Sequence, residues 1–76
     1  MYHTIEFSLG VWADLEIPGQ ARLEQVLIRP GVRLRARVKP YVVESSLGPT
    51  EVADLFLEDD SVARTVSFAC FRLADE

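Results

Sequence analysis

The chain is expected to fold as an all-β domain, a small barrel or sandwich of about six mostly antiparallel strands. Two observations point there. Apolar and polar residues alternate with a period of two over several stretches, the pattern of a sheet with one buried face. Turn residues punctuate these stretches at Gly10, Pro18-Gly19, Pro30-Gly31, Gly48-Pro49 and Asp59-Asp60. Short strands broken by regularly spaced turns suit small barrels and sandwiches.

The clearest alternation is Val32–Val43, VRLRARVKPYVV. Val32, Leu34, Ala36, Val38 and Val42 share one parity, and Arg33, Arg35, Arg37 and Lys39 share the other. Successive strand side chains point to opposite faces, so a row of cations should lie above an apolar underside that includes Leu34 and Val38. Pro40 interrupts this pattern. Proline cannot donate to a ladder, so it marks an edge, a bulge or a bend.

Residues 1–9 set His3, Ile5, Phe7 and Leu9 against Tyr2, Thr4, Glu6 and Ser8. After Gly10, Val11, Ala13, Leu15 and Ile17 oppose Trp12, Asp14 and Glu16. The simplest expectation is a hairpin of these two strands around Gly10, with Pro18-Gly19 closing the second. Within 21–29, Leu23, Val26 and Leu27 have helical spacing, but the turn at Arg29-Pro30-Gly31 makes a strand–turn–strand unit the better fit. Glu44–Thr50 has no periodicity and turn-rich composition, which reads as a loop and a candidate binding segment.

Residues 51–57 and 62–73 each admit a helix or a strand. Thr50 can cap a helix carrying Val52, Leu55 and Phe56, and Val62, Val66, Cys70 and Leu73 also have helical spacing. The Val, Thr and Phe content of 62–73 favours a pleated surface. A helix there would also end in Asp75-Glu76, against the negative end of its dipole. A final hairpin of Val52–Leu57 with Val62–Leu73 is therefore expected. Phe68 and Phe71 have opposite parity, so apolar mass falls on both faces of that last strand, as in a central strand, a face-switching bulge or an oligomer contact.

Seventy-six residues make a single domain, 1–76. So short a chain buries only ~60% of the surface its unfolded form exposes, yet 49% of its residues are apolar. That surface either covers a second subunit or a protein partner or is spread as single exposed aliphatics, which are ordinary on a folded surface. The net charge of −4 argues against a general nucleic-acid binder. Six of the eight cations nevertheless lie between Arg22 and Lys39. One cysteine, Cys70, allows no internal disulfide and points to a reducing, cytoplasmic setting. No signal peptide is expected, since the first residues lack a basic stretch followed by an apolar run, and no apolar run approaches the ~20 residues that span a bilayer.

Chemistry is sparse. His3 is the one histidine and lies on the apolar parity of its strand, and Cys70 sits between Ala69 and Phe71. No catalytic residues, metal site or cofactor are expected from so few groups. The cationic row has two readings. If strands bearing Glu6, Asp14 and Glu16 neighbour it, cross-strand pairs neutralise it at ~0.2–1 kcal/mol each. Alternatively Arg33, Arg35, Arg37 and Lys39, flanked by the aromatic residues Tyr2, Trp12 and Tyr41, hold an anionic ligand or a single-stranded nucleic acid. The leading expectation is a non-catalytic interaction module that works through protein–protein contact and self-associates. Anion or single-strand binding on the basic face is the alternative.

Overall fold

The computed structural model describes residues 1–74, and the acidic pair Asp75-Glu76 lies outside the described residues. Seven strands follow one another: β1 (His3–Phe7), β2 (Val11–Glu16), β3 (Glu24–Ile28), β4 (Arg33–Ser45), β5 (Gly48–Leu57), β6 (Val62–Ser67) and β7 (Phe71–Leu73), with a 3-10 turn at Phe68–Cys70 before β7. All belong to one antiparallel sheet in the order β3-β2-β6-β5-β4-β1-β7. The all-β expectation holds, and the single sheet is a curled half-barrel rather than a sandwich. Residues 21–29, 51–57 and 62–73 contain no α-helix.

Chain length forces the curl. β1 and β2 are four places apart in the sheet, as are β3 and β4. On a flat sheet each pair would be separated by ~19 Å. Only Ser8, Leu9 and Gly10 join β1 to β2, a span of at most ~14 Å. β3 reaches β4 through the similarly short Arg29–Val32. Both connections close only if the two halves of the sheet roll towards each other.

The expected hairpin around Gly10 is therefore not formed. β1 pairs with β4 and β7, whereas β2 pairs with β3 and β6. Backbone bonding at the end of β1 explains the choice. Phe7 N–H donates to Val32 O at 3.0 Å, Gly31 N–H donates to Phe7 O at 2.7 Å, and Ser8 N–H donates to Cys70 O at 2.9 Å. The exit of β1 is thus held by the β3–β4 turn and by the approach to β7, leaving nothing to pair with β2.

The turns follow their residues. In Ile17-Pro18-Gly19-Gln20 and Arg29-Pro30-Gly31-Val32, proline leads and a glycine at φ 82° or 88° follows, with the first carbonyl accepting from the fourth N–H. That is the type II arrangement. Glu44–Thr50 is not a loop. β4 and β5 run to Ser45 and from Gly48, and Ser46-Leu47 alone turn the chain. Gly48 at φ 102° follows this two-residue turn, in which the Ser45 hydroxyl donates to Gly48 O at 2.9 Å and accepts from Leu47 N–H at 3.2 Å. At the β5–β6 turn, Asp59 accepts from both the N–H and the hydroxyl of buried Ser61, while Asp60 takes the left-handed φ of 71°.

The expected hairpin of 52–57 with 62–73 is formed only in its first part. β6 pairs with β5, but β7 pairs with β1. The 3-10 turn between them resets the alternation. Phe71 enters the core against Phe7, ring centroids 5.8 Å apart, and Phe68 packs on Phe71 at 5.1 Å. The opposite parity of Phe68 and Phe71 thus records a change of strand partner.

The core lies on the concave face and comprises Ile5, Phe7, Ala13, Ala36, Ala53, Leu55, Ala63, Val66 and Phe71. Alanines recur there on β2, β4, β5 and β6 because a tightly curled sheet leaves little room inside. Register sets them against larger residues, with Ala63 between Leu15 and Leu55, and Leu55 beside Val38. The apolar parity of β4 is thus oriented as the sequence implies but unevenly covered. Ala36 is buried, Leu34 and Val38 are half-buried, and Val42 is 58% exposed. β4 outruns β1, whose register stops at His3 opposite Ala36.

Burial ranks the leucines. Leu55→Ala should cost ~2–5 kcal/mol, the range for a fully buried leucine, and half-buried Leu34→Ala clearly less. Urea denaturation of both variants measures the difference. Equal losses would show that Leu34 is covered in solution as completely as Leu55.

Candidate interaction surfaces

The convex face carries the charged residues. Of the cationic row, Arg33 is paired: its Nε donates to Glu6 Oε1 at 2.8 Å, while Arg72 Nη2 donates to Glu6 Oε2 at 3.1 Å. These two guanidinium groups, Arg33 first, hold the Glu6 carboxyl below the usual range. Arg35 donates to Thr4 Oγ1 at 3.3 Å and lies 3.8 Å from Glu58. Arg37 instead rests on two rings, its Cζ 5.9 Å from the Tyr2 centroid and 5.5 Å from that of Phe56. Among the described residues no carboxylate lies within ion-pair distance of Arg37 or Lys39. Glu6 alone of the three expected carboxylates neighbours the row. Asp14 and Glu16 sit on β2, three places from β4, and Glu16 pairs with Arg64.

The aromatic residues divide as well. Tyr2 covers Arg37. Trp12 is 64% exposed on β2, where its cross-strand neighbour is Leu27, far from the cations. Tyr41 is committed elsewhere: its hydroxyl donates to Asp54 Oδ1 at 2.8 Å and lies 2.9 Å from the Thr65 hydroxyl. Tyr2, Trp12 and Tyr41 therefore form no common platform. Phe56, not anticipated as a convex-face group because its run Leu55-Phe56-Leu57 is uniformly apolar, lies between Arg37 and Arg64.

Asp54 organises this face. It is 8% exposed and opposes a bulge on β6, where the register moves from Ala53–Val66 to Leu55–Ala63. Thr65 adopts φ 55° there, a strained conformation for a β-branched residue. Thr65 N–H donates to Asp54 Oδ1 at 3.0 Å, and Arg64 Nη1 donates to Asp54 Oδ2 at 2.8 Å. Burial pushes the Asp54 carboxyl up, but the bonds from Thr65 N–H, Arg64 and Tyr41 outweigh it and hold the group below its ordinary value.

Among the described residues, two concavities and three free edges bear on binding. One concavity of about 250 Å³ opens into the half-barrel and is lined only by apolar residues, among them Leu15, Val26, Ile28, Leu34 and Leu57. The other, about 430 Å³, lies where β1 stops short of β4 and is lined by Met1, His3, Arg37, Val38, Lys39 and Phe56. Because Phe7 bonds Val32, antiparallel alternation turns the backbone groups of the even-numbered β4 residues towards the β1 side. Past Ala36 these groups face an open edge, and Pro40 stands among them with no N–H to leave unpaired. The proline thus marks an edge, one of its three expected meanings. β7 is an edge of three residues. β3 is an edge of five, with Gln25, Val26 and Leu27 exposed.

Cys70 is half-buried beside the core, and no group of histidine, cysteine and carboxylate side chains among the described residues is arranged to hold a metal ion. No described helix is long and apolar enough to cross a membrane. Comparison with protein-family models, curated proteins and solved structures gives no match.

The depressed Asp54 carboxyl predicts an acid-labile fold. Its contribution is complete above the ordinary aspartate pKa of ~3.9 and is lost as pH falls through the lower folded value. Denaturation midpoints between pH 5 and pH 2 should fall steeply for the wild type and less steeply for Asp54→Asn. At neutral pH, Asp54→Ala should cost ~1–3 kcal/mol, because it removes the acceptor shared by Thr65 N–H and the Tyr41 hydroxyl, and Glu16→Ala under ~1 kcal/mol.

Proposed function

We propose that this protein is a non-catalytic interaction module that works by self-association through the β3 edge. The unprotected state of that edge supports the reading. Exposed edges are normally blunted by charge, proline or shortness. The β4 overhang has Arg37, Lys39 and Pro40, and β7 has only three residues. The centre of β3, Gln25-Val26-Leu27, carries no such device. Both of its faces are apolar: Val26 lines the groove of the half-barrel, and Leu27 lies beside exposed Trp12.

A second copy of the chain is the occupant that the charges favour. Glu24 begins β3 and Arg29 follows its end. Antiparallel alignment of two β3 strands around Val26 sets Glu24 of each copy opposite Ile28 of the other and keeps the two Glu24 carboxylates apart. Parallel alignment would set like charges together. The antiparallel pair is isologous, so it closes as a dimer. It also extends the apolar groove across the twofold axis, giving the excess of apolar surface a place to go. The single cysteine fits a cytoplasmic location.

Sedimentation equilibrium is the test. The wild type should show a concentration-dependent monomer–dimer equilibrium, and Val26→Lys should remain monomeric, with a cooperative denaturation transition showing that the variant is folded. A wild type that stays monomeric up to its solubility limit would remove this reading.

A further inference from the structure

We infer that the notch between Met1 and the free edge of β4 is a binding site for a small phosphate monoester, held by Arg37 and Lys39. This proposal is independent of self-association, which concerns β3 at the opposite side of the sheet.

The cationic row does not act as one surface. Its lower half is satisfied internally, with Arg33 on Glu6 and Arg35 on Thr4 and near Glu58. Its upper half has no carboxylate within ion-pair distance among the described residues. Lys39 does lie across from Asp54 in register. Both oxygens of that carboxylate, however, are occupied by Arg64, Thr65 N–H and Tyr41.

Arg37 is also positioned in advance. Its guanidinium lies against the rings of Tyr2 and Phe56. These cation–ring contacts use none of its N–H donors on a carboxylate, so the fork is available to an acceptor. A planar fork suits the paired oxygens of a phosphate. Lys39, two residues along the same face, adds a point charge ~7 Å away. By the alternation of β4, the Val38 N–H faces the same opening.

The notch does more than accept an isolated ion. Its volume of about 430 Å³ falls in the range of small-molecule sites and exceeds what one phosphate group needs. Val38 and Phe56 supply apolar wall beside the cations, and exposed Met1 lies at the rim. An anionic head and a compact apolar body together describe an organic phosphate monoester.

Titration of the wild-type chain with inorganic phosphate and with phenyl phosphate, followed by amide NMR shifts, tests this. Shifts should centre on Arg37, Val38 and Lys39, and phenyl phosphate should bind more tightly than inorganic phosphate. Arg37→Ala should weaken phenyl phosphate roughly tenfold or more, the loss of one charge-assisted hydrogen bond. Arg37→Lys, which keeps the charge and loses the fork, should fall between. Arg33→Ala should bind as the wild type does. Amide spectra of the free variants check that each remains folded. The inference is overturned if neither phosphate shifts these amides, if Arg37→Ala binds as the wild type does, or if Arg33→Ala loses as much as Arg37→Ala. Preferential binding at these residues of an oligothymidylate without a terminal phosphate would also overturn it.

Discussion

The Asp54 carboxylate is the interaction on which the convex half of the structure depends. β6 must insert an extra residue opposite Asp54 to bring Ala63 and Val66 onto the concave face. The insertion leaves Thr65 in a left-handed conformation that a β-branched residue disfavours. Asp54 compensates by accepting from the N–H of the strained residue and by drawing Arg64 and Tyr41 onto the same carboxylate. Arg64 continues the connection to Glu16 on β2 and to the Phe56 ring. A single buried charge thus ties β2, β4, β5 and β6 together at the point where their ladder is irregular.

Curvature is the second constraint, and it has a consequence for function. Short links bring β1 towards β2 and β3 towards β4, so the sheet must roll. Small residues accept the roll, which is why alanines occupy the concave centre. Seven strands of these lengths do not complete a barrel. The apolar interior is left open beside β3, and the most apolar edge lies next to the most apolar opening. Proline and cations protect the β4 overhang, whereas β3 has neither at its centre. The contrast gives the β3 edge and the β4 overhang different chemical characters.

Charge is distributed by topology rather than by sequence. The cations of β4 alternate regularly, but β1 covers only the first part of that strand. Where β1 is present it supplies Glu6 and Thr4 to the arginines. Where β1 ends, Arg37 turns to aromatic rings and Lys39 meets an already occupied carboxylate. The boundary between a neutralised and an open cationic surface is therefore the end of β1.

Local chemistry was sufficient for much of this in the sequence alone. Alternation placed Ile5, Phe7, Ala13 and Ala36 on the buried face, and proline–glycine pairs located two turns, because both signals act over a few residues. Local signals were misleading wherever a strand changed partner. Gly10 suggested a hairpin, yet β1 and β2 lie apart. Phe68 and Phe71 looked two-faced because a 3-10 turn between strands shifts parity without a marked change of composition. Ser45-Ser46-Leu47-Gly48 read as loop because its hairpin rests on one left-handed glycine. Asp54 sat in an apolar run and gave no hint of its partners, which are 10 to 13 residues distant. The sequence by itself determined the all-β class, the apolar face of each main strand and the cationic row, since these depend on the two-residue period of an extended chain. Strand order, the open groove, and the separation of paired from unpaired cations were decided only by tertiary structure, because each depends on which distant strand lies alongside and where its ladder ends.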